Sequence, residues 1–187
     1  MKNLQKFALV LAKFMEVLHW IGAASMAAIL LSGLFAQDWL LKTVAALSDG
    51  ELSTYGFSLV VIDGSFAPDP RAVLLFAAGG IAVMSLTAMI FRNVYLMLKT
   101  VSGTNPHTRR ATPFQHDMIR MIREIGIFFL SIPAVSLVLS IIARLTLGDG
   151  IELSIQLDSL MMGIFVLCLT QAFRYGMELE HDVDGLV

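Results

Sequence analysis

Between Ala72 and Phe91 the chain reads AVLLFAAGGIAVMSLTAMIF, a run with no charged side chain. A helix needs about 20 mainly apolar residues to cross the hydrocarbon core of a bilayer. In that solvent only helices and closed barrels satisfy their own backbone groups, so an unbroken run of this kind leaves few options besides a membrane helix. Two further runs meet the test: Val17–Ala36, with His19 inside it, and Ile125–Ala143, with Pro133 near its centre. A fourth, SLMMGIFVLCLTQAF between Asp158 and Arg174, is short. Snorkelling of Arg174 and continuation of helix towards Met177 extend it to a span. The chain is 57% hydrophobic and 15% charged, against about 25% charged in soluble domains. The expected architecture is an all-α integral membrane protein: one domain, residues 1–187, folded as a four transmembrane helix bundle with spans near 14–36, 72–98, 119–146 and 158–177.

The first run follows Lys2, Lys6 and Lys13, as the apolar core of a signal peptide would. It is too long for that role, and GLFAQ lacks the A-x-A cleavage pattern, so an uncleaved span is expected. Leu4, Phe7, Leu11, Phe14, Leu18 and Ile21 keep a three-four spacing, which predicts one helix running from the cytoplasm into the bilayer. Lysine and arginine set orientation. Lys2, Lys6 and Lys13 precede the first span, and Lys99, Arg109, Arg110, Arg120 and Arg123 lie between the second and third. The other two connections carry Lys42, Arg71 and Arg144 among Asp38, Asp49, Glu51, Asp63, Asp69, Asp149, Glu152 and Asp158. Both termini are therefore expected in the cytoplasm, with the chain a multi-pass membrane protein.

The two outer segments carry strand signals. IELSIQLD (Ile151–Asp158) alternates apolar and polar residues strictly, and ELSTYGFSLVVIDG (Glu51–Gly64) is rich in β-formers and ends in an Asp-Gly turn. They are expected to form a small extracytoplasmic β-hairpin or sheet that caps the helices.

Small residues crowd the spans: Gly22, Ala23, Ala24 and Ser25 in the first, Ala77, Ala78, Gly79 and Gly80 in the second, and Ser136 and Ser140 in the third. Helices in lipid associate through such close contacts, so a tightly packed bundle is expected, bent at Pro133. Cys168 is the single cysteine and reads as a buried structural thiol. His19 is the one ionisable residue inside the core of a span, which makes it the intramembrane polar position to watch. Beside Trp20, at the cytoplasmic end of its span, it also fits an ordinary interfacial pair. No second span supplies a histidine for a bis-histidine haem, and no chain of buried carboxylates crosses the bilayer. The pairs His116-Asp117 and His181-Asp182 are too short to point to a metal. There is no P-loop, HExxH or GxSxG motif. No catalytic residue, cofactor, metal or direct nucleic-acid contact is expected.

The stretch TPFQHDMIRMIREIG (Thr112–Gly126) joins a charged helix start to an apolar one. Thr112, Pro113 and Gln115 match a capping box with proline at the first helical position. Phe114, Met118, Met121, Ile122 and Ile125 share one face of the wheel, and His116, Asp117, Arg120, Arg123 and Glu124 the other. The tail FRYGMELEHDVDGLV places Glu178, Glu180, Asp182 and Asp184 in an acidic strip after the fourth span, a counterpart for Arg109, Arg110, Arg120 and Arg123.

TPFQHDMIRMIREIG resembles the Pro-Phe…Arg…Ile-Gly signature of a bacterial membrane-protein family catalogued as domain of unknown function 2975, and FRYGMELEHDVDGLV is similar to that family's ending. Many members end in Asp-Leu-Thr-Ile, where this chain has Asp184-Gly185-Leu186-Val187. The resemblance implies a small four-helix inner-membrane protein, often encoded beside a small Cro-like helix-turn-helix regulator, with no known reaction. The expected function is a non-enzymatic sensing or regulatory module that contacts the lipid bilayer and docks a cytoplasmic partner such as that DNA-binding regulator. Phe114, Arg120, Arg123, Glu178, Glu180, Asp182 and Asp184 are the expected docking residues. The alternative is a small-molecule transporter or channel subunit.

Overall fold

The computed structural model describes residues 2–47, 51–54, 57–60, 62–63, 67–101, 116–147 and 157–184. Helix α1 (Lys2–Phe35) is followed by α2 (Gln37–Leu47), strands β1 (Glu51–Thr54), β2 (Phe57–Val60), β3 (Ile62–Asp63) and β4 (Ala67–Pro68), and helices α3 (Pro70–Val101), α4 (His116–Leu147) and α5 (Leu157–Asp184). Helices α1, α3, α4 and α5 are the four that are long and apolar enough to cross a membrane. The chain is a multi-pass membrane protein.

Local chemistry sets several helix ends. The backbone N–H of Arg71 donates to Asp69 Oδ1 at 2.8 Å, so Asp69 caps α3 and Pro70 occupies the first helical position, where its missing donor costs nothing. Asp158 stands in the first turn of α5, where a carboxylate suits the partial positive charge of a helix N-terminus. That corrects the strand expected over Ile151–Asp158: its last two residues open a helix, and 151–156 lies outside the described residues. The strands that are described pair within the segment between α2 and α3, as two antiparallel hairpins, β1 with β2 and β3 with β4.

The four long helices pack in a series. α1 lies along α3, α3 along α4, and α4 along α5; the two ends of the series, α1 and α5, share no comparable interface among the described residues. Burial follows this order. In their most apolar stretches α3 and α4 bury 44% and 33% of their residues, α1 and α5 only 11% each. A bundle closed on itself would treat the four alike. Here α1 and α5 are edges, and their outward side chains, Phe7, Phe14 and Ile21 on one and Met161 and Phe165 on the other, stay exposed for lipid to cover. The same geometry corrects the reading of Cys168 as buried: it lies exposed on α5, because an edge helix has only one packed face.

Two clusters hold the series together. Leu40, Ala72, Val73 and Phe76 form one, joined by Met26 and Ile29 of α1, Leu41 and Val44 of α2, and Leu139 and Leu147 of α4. Val83, Ile90, Ile125 and Ile132 form the other, between α3 and α4. Helix α2, absent from the span reading, is held by the first cluster. Only Ala36 separates it from α1, and Gly33 lets it close down: a Cβ there would stand 2.6 Å from Leu74 Cδ2 and 3.1 Å from Leu40 Cδ2. Pro133 lies buried inside α4, which is helical on both sides of it. The hydroxyls of Thr87, Ser136 and Thr170 each donate to the carbonyl four residues back, which satisfies them without a partner helix.

Candidate functional site

The polar side chains gather at one end of the helices. Contacts between neighbours show that they meet at a common level. On α1 and α3, the His19 ring lies against Phe91 at 5.3 Å between centroids, and Lys13 Nζ stands 5.3 Å from the centre of the Tyr95 ring. Between α3 and α4, Asn93 Nδ2 donates to Glu124 Oε2 at 3.1 Å. Between α4 and α5, Gly126 faces Leu167, so Arg123 and Thr170 lie level one turn away.

Within this belt most charges are answered on their own helix. Lys13 Nζ donates to Glu16 at 3.0 Å, and Glu16 is buried although it sits on an edge helix. Arg120 Nε donates to Glu124 Oε1 at 2.9 Å. Both oxygens of Glu124 are thereby engaged, one by its own helix and one by α3. Arg174 Nε donates to Glu178 at 3.3 Å. The last two pairs are largely exposed and i,i+4 spaced, so each is worth only about 0.3–0.5 kcal/mol. Arg123 has no hydrogen bond or ion pair among the described residues.

His19 is half-buried, and its Nδ1–H donates to the carbonyl of Met15 at 2.7 Å. Its ring packs against Phe91, so both its polar edge and its face are used inside the protein. Of the expected docking residues, Arg120, Arg123 and Glu178 come together: they line one cleft of about 550 Å³ between the start of α4 and the end of α5, with His116, Thr170, Gln171 and Arg174. Phe114, with the Thr112–Gln115 capping box, lies outside the described residues. Glu180, Asp182 and Asp184 belong to α5 by backbone, and their side chains lie outside the described residues. A second cleft of about 360 Å³ lies between α3 and α4, lined by Arg92, Asn93, Asp117, Arg120 and Glu124.

Helix α5 is displaced along its neighbour. The contact of Gly163 with Leu130, continued at about 1.5 Å per residue, puts Leu157 level with Ser136, so α5 begins about 16 Å short of Leu147, the described end of α4. At the charged end it runs past the described start of α4, carrying Glu178 and the following acidic stretch beyond it. Glu16, Asn93 and Tyr95 join the site only in the folded chain. Asn93 carried one signal, an amide just after Arg92, the first charge beyond the uncharged run that ends at Phe91. No protein-family model, curated protein or solved structure matches the chain.

Proposed function

We propose that this chain is a non-enzymatic regulatory module of a bacterial inner membrane. Its charged end faces the cytoplasm and docks a soluble partner, a small helix-turn-helix regulator being the class that the family resemblance implies. The observation that carries the reading is the cleft between α4 and α5, which unites Arg120 and Arg123 with Glu178 from a distant stretch of sequence. Orientation rests on charge. Lys6, Lys13, Arg92, Lys99, Arg120, Arg123 and Arg174 belong to the ends of helices at this level, and Lys42, Arg71 and Arg144 to the other. The hairpins β1–β2 and β3–β4 then stand on the outer face. The course of α5 past the described start of α4 favours docking, since it carries Glu178 beyond His116 on the side of Arg120 and Arg123. A transport path receives less support: at Gly22 and Gly80 the α1–α3 seam, and at Gly126 and Gly163 the α4–α5 seam, are filled by methionine and leucine side chains.

The test is affinity capture with the full-length tagged protein, gently solubilised, beside a form ending before Met177 and an Arg123→Glu variant. The expected result is that all three insert in the membrane and only the intact protein retains a DNA-binding partner. Equal capture by all three counts against the reading.

A further inference from the structure

We infer that the cleft between α4 and α5 is a binding site for the phosphate of an anionic phospholipid, whose acyl chain lies in the apolar groove that continues from it. The inference does not depend on a docked protein or on which side of the membrane the charged end faces.

The cleft has the chemistry of a phosphate site. Arg120, Arg123 and Arg174 line it from two helices, against one carboxylate among the described residues, Glu178. A guanidinium offers five N–H donors in a planar fork that matches a phosphate. Arg120 and Arg174 spend their Nε groups on Glu124 and Glu178, and the pairs leave their terminal nitrogens free to donate. Arg123 has no hydrogen bond or ion pair among the described residues, so its whole fork is available. His116 and Gln171 add further polar groups to the lining. The volume, about 550 Å³, falls within the range of about 300–1,000 Å³ typical of small-ligand sites.

The surface beyond the cleft selects a lipid over a soluble phosphate. Side chains three and four apart share a helix face. On α4 the stripe through His116, Arg120 and Arg123 next reaches Ile127, which is 47% exposed. On α5 the stripe through Glu178, Arg174 and Gln171 next reaches Cys168 and then Ile164, both exposed. A groove that is cationic for two turns and apolar from the third fits a ligand with an anionic head and a hydrocarbon tail. Its axis runs along the helices, which is also the direction of a lipid in a bilayer. A free phosphate would use only the first part.

The experiment is native mass spectrometry of the purified full-length protein in detergent. It is titrated in separate arms with phosphatidylglycerol, with phosphatidylcholine of the same chains, and with soluble glycerophosphate. The variants are Arg123→Gln, Arg123→Gln with Arg174→Gln, Arg123→Lys, and Arg92→Gln as a control that removes an equal charge from the same end but outside this cleft. Phosphatidylglycerol is expected to bind wild type more tightly than phosphatidylcholine, with no retained glycerophosphate. Each lost arginine is expected to weaken it about fivefold, the size of one basic contact at a membrane surface. Arg92→Gln is expected to leave binding within about twofold of wild type, and Arg123→Lys to keep part of it. Helical content measured on every variant separates lost binding from lost fold. Equal losses in Arg92→Gln and Arg123→Gln overturn the inference, since they mark general surface attraction. Equal retention of phosphatidylcholine, or retention of glycerophosphate as tight as that of the lipid, also overturns it.

Discussion

Replacing Gly163 by alanine is expected to weaken the α4–α5 seam, and the contacts of the new methyl group set the size of the effect. A Cβ at Gly163 lies 2.7 Å from Leu130 Cγ, 2.8 Å from Leu130 Cδ2 and 3.0 Å from the backbone nitrogen of Leu130. A rotamer change of Leu130 relieves the first two contacts. The third is main chain, so the helices themselves must part by several tenths of an ångström. Overpacking costs about 1–3 kcal/mol, and a contact with main chain, which no rotamer change relieves, belongs in the upper part of that range, about 2–3 kcal/mol. Alanine recovers part of that, about 1 kcal/mol, through helix propensity. The net expectation is a loss of about 1–2 kcal/mol, a factor of roughly 5–30 in the folding equilibrium. Gly22→Ala is the matched comparison. Its Cβ meets only the flexible end of Met84, at 3.3 Å from Sδ and 3.7 Å from Cγ. Methionine adapts at little cost, so this variant should be neutral or up to about 1 kcal/mol more stable. Reversible unfolding in mixed micelles with rising dodecyl sulfate, followed by circular dichroism, measures both. If Gly163→Ala unfolds at the same detergent fraction as wild type, or Gly22→Ala proves the weaker of the two, the seam is not packed as described.

Further outcomes test other parts of the fold. Asn93→Ala removes the hydrogen bond to Glu124 across α3 and α4 and should cost about 0.6–1.7 kcal/mol by the same unfolding method, the range for polar contacts between membrane helices. His19→Phe keeps the ring packing on Phe91 and loses a bond within its own helix, so it should change stability by less than about 1 kcal/mol; a large loss would assign His19 a role beyond packing. Leu40→Ala empties a buried position under α2 and should cost about 2–5 kcal/mol, with faster proteolysis in α2. In a Cys168→Ser background, a cysteine placed between Gly103 and Arg110 should react with impermeant reagents only after the cytoplasmic side is opened. Labelling of intact cells would reverse the topology and remove the docking proposal.

Much of the helical architecture is legible because lipid makes the rule simple: an uncharged run such as Ala72–Phe91 has few other folds open to it. The order in which the helices pack is not legible. Small residues occur in every span, and their spacing does not say which face meets which neighbour. The open edges formed by α1 and α5 are therefore not written in the sequence, and Cys168 reads as buried. Helix α2 is short, and its packed positions, Leu40, Leu41 and Val44, become a pattern only beside Val73 and Phe76. Half of the site is readable. Arg120 and Arg123 stand out as charges at the foot of an apolar run, and Glu178 as the start of an acidic one. Their meeting depends on the offset between α4 and α5, which is set by Gly126 and Gly163 accepting Leu167 and Leu130.

That offset explains the short fourth run. Apolar length alone would centre α5 in the bilayer, yet its outer end stops level with Ser136 of α4. The belt at the other end accounts for this. Glu16 and Glu124 lie on α1 and α4 at nearly one depth, Arg174 of α5 lies about 7.5 Å further towards the charged end, level with Ile119, and each is joined to a neighbouring charge. Sliding α1 or α4 away from this end by one turn, about 5.4 Å, or α5 by two, would bring a charge towards hydrocarbon, where the cost rises to about 2.5–3.5 kcal/mol per group at the centre of a span. Shortfall at the opposite end costs less, because lipid covers the exposed Val138, Ile141 and Leu145 of α4 directly. Depth is therefore fixed by the charged ends and not by matching apolar lengths. With depth set in this way, the proposed phosphate site between α4 and α5 falls at the charged end of the spans, and α5 continues past the described start of α4.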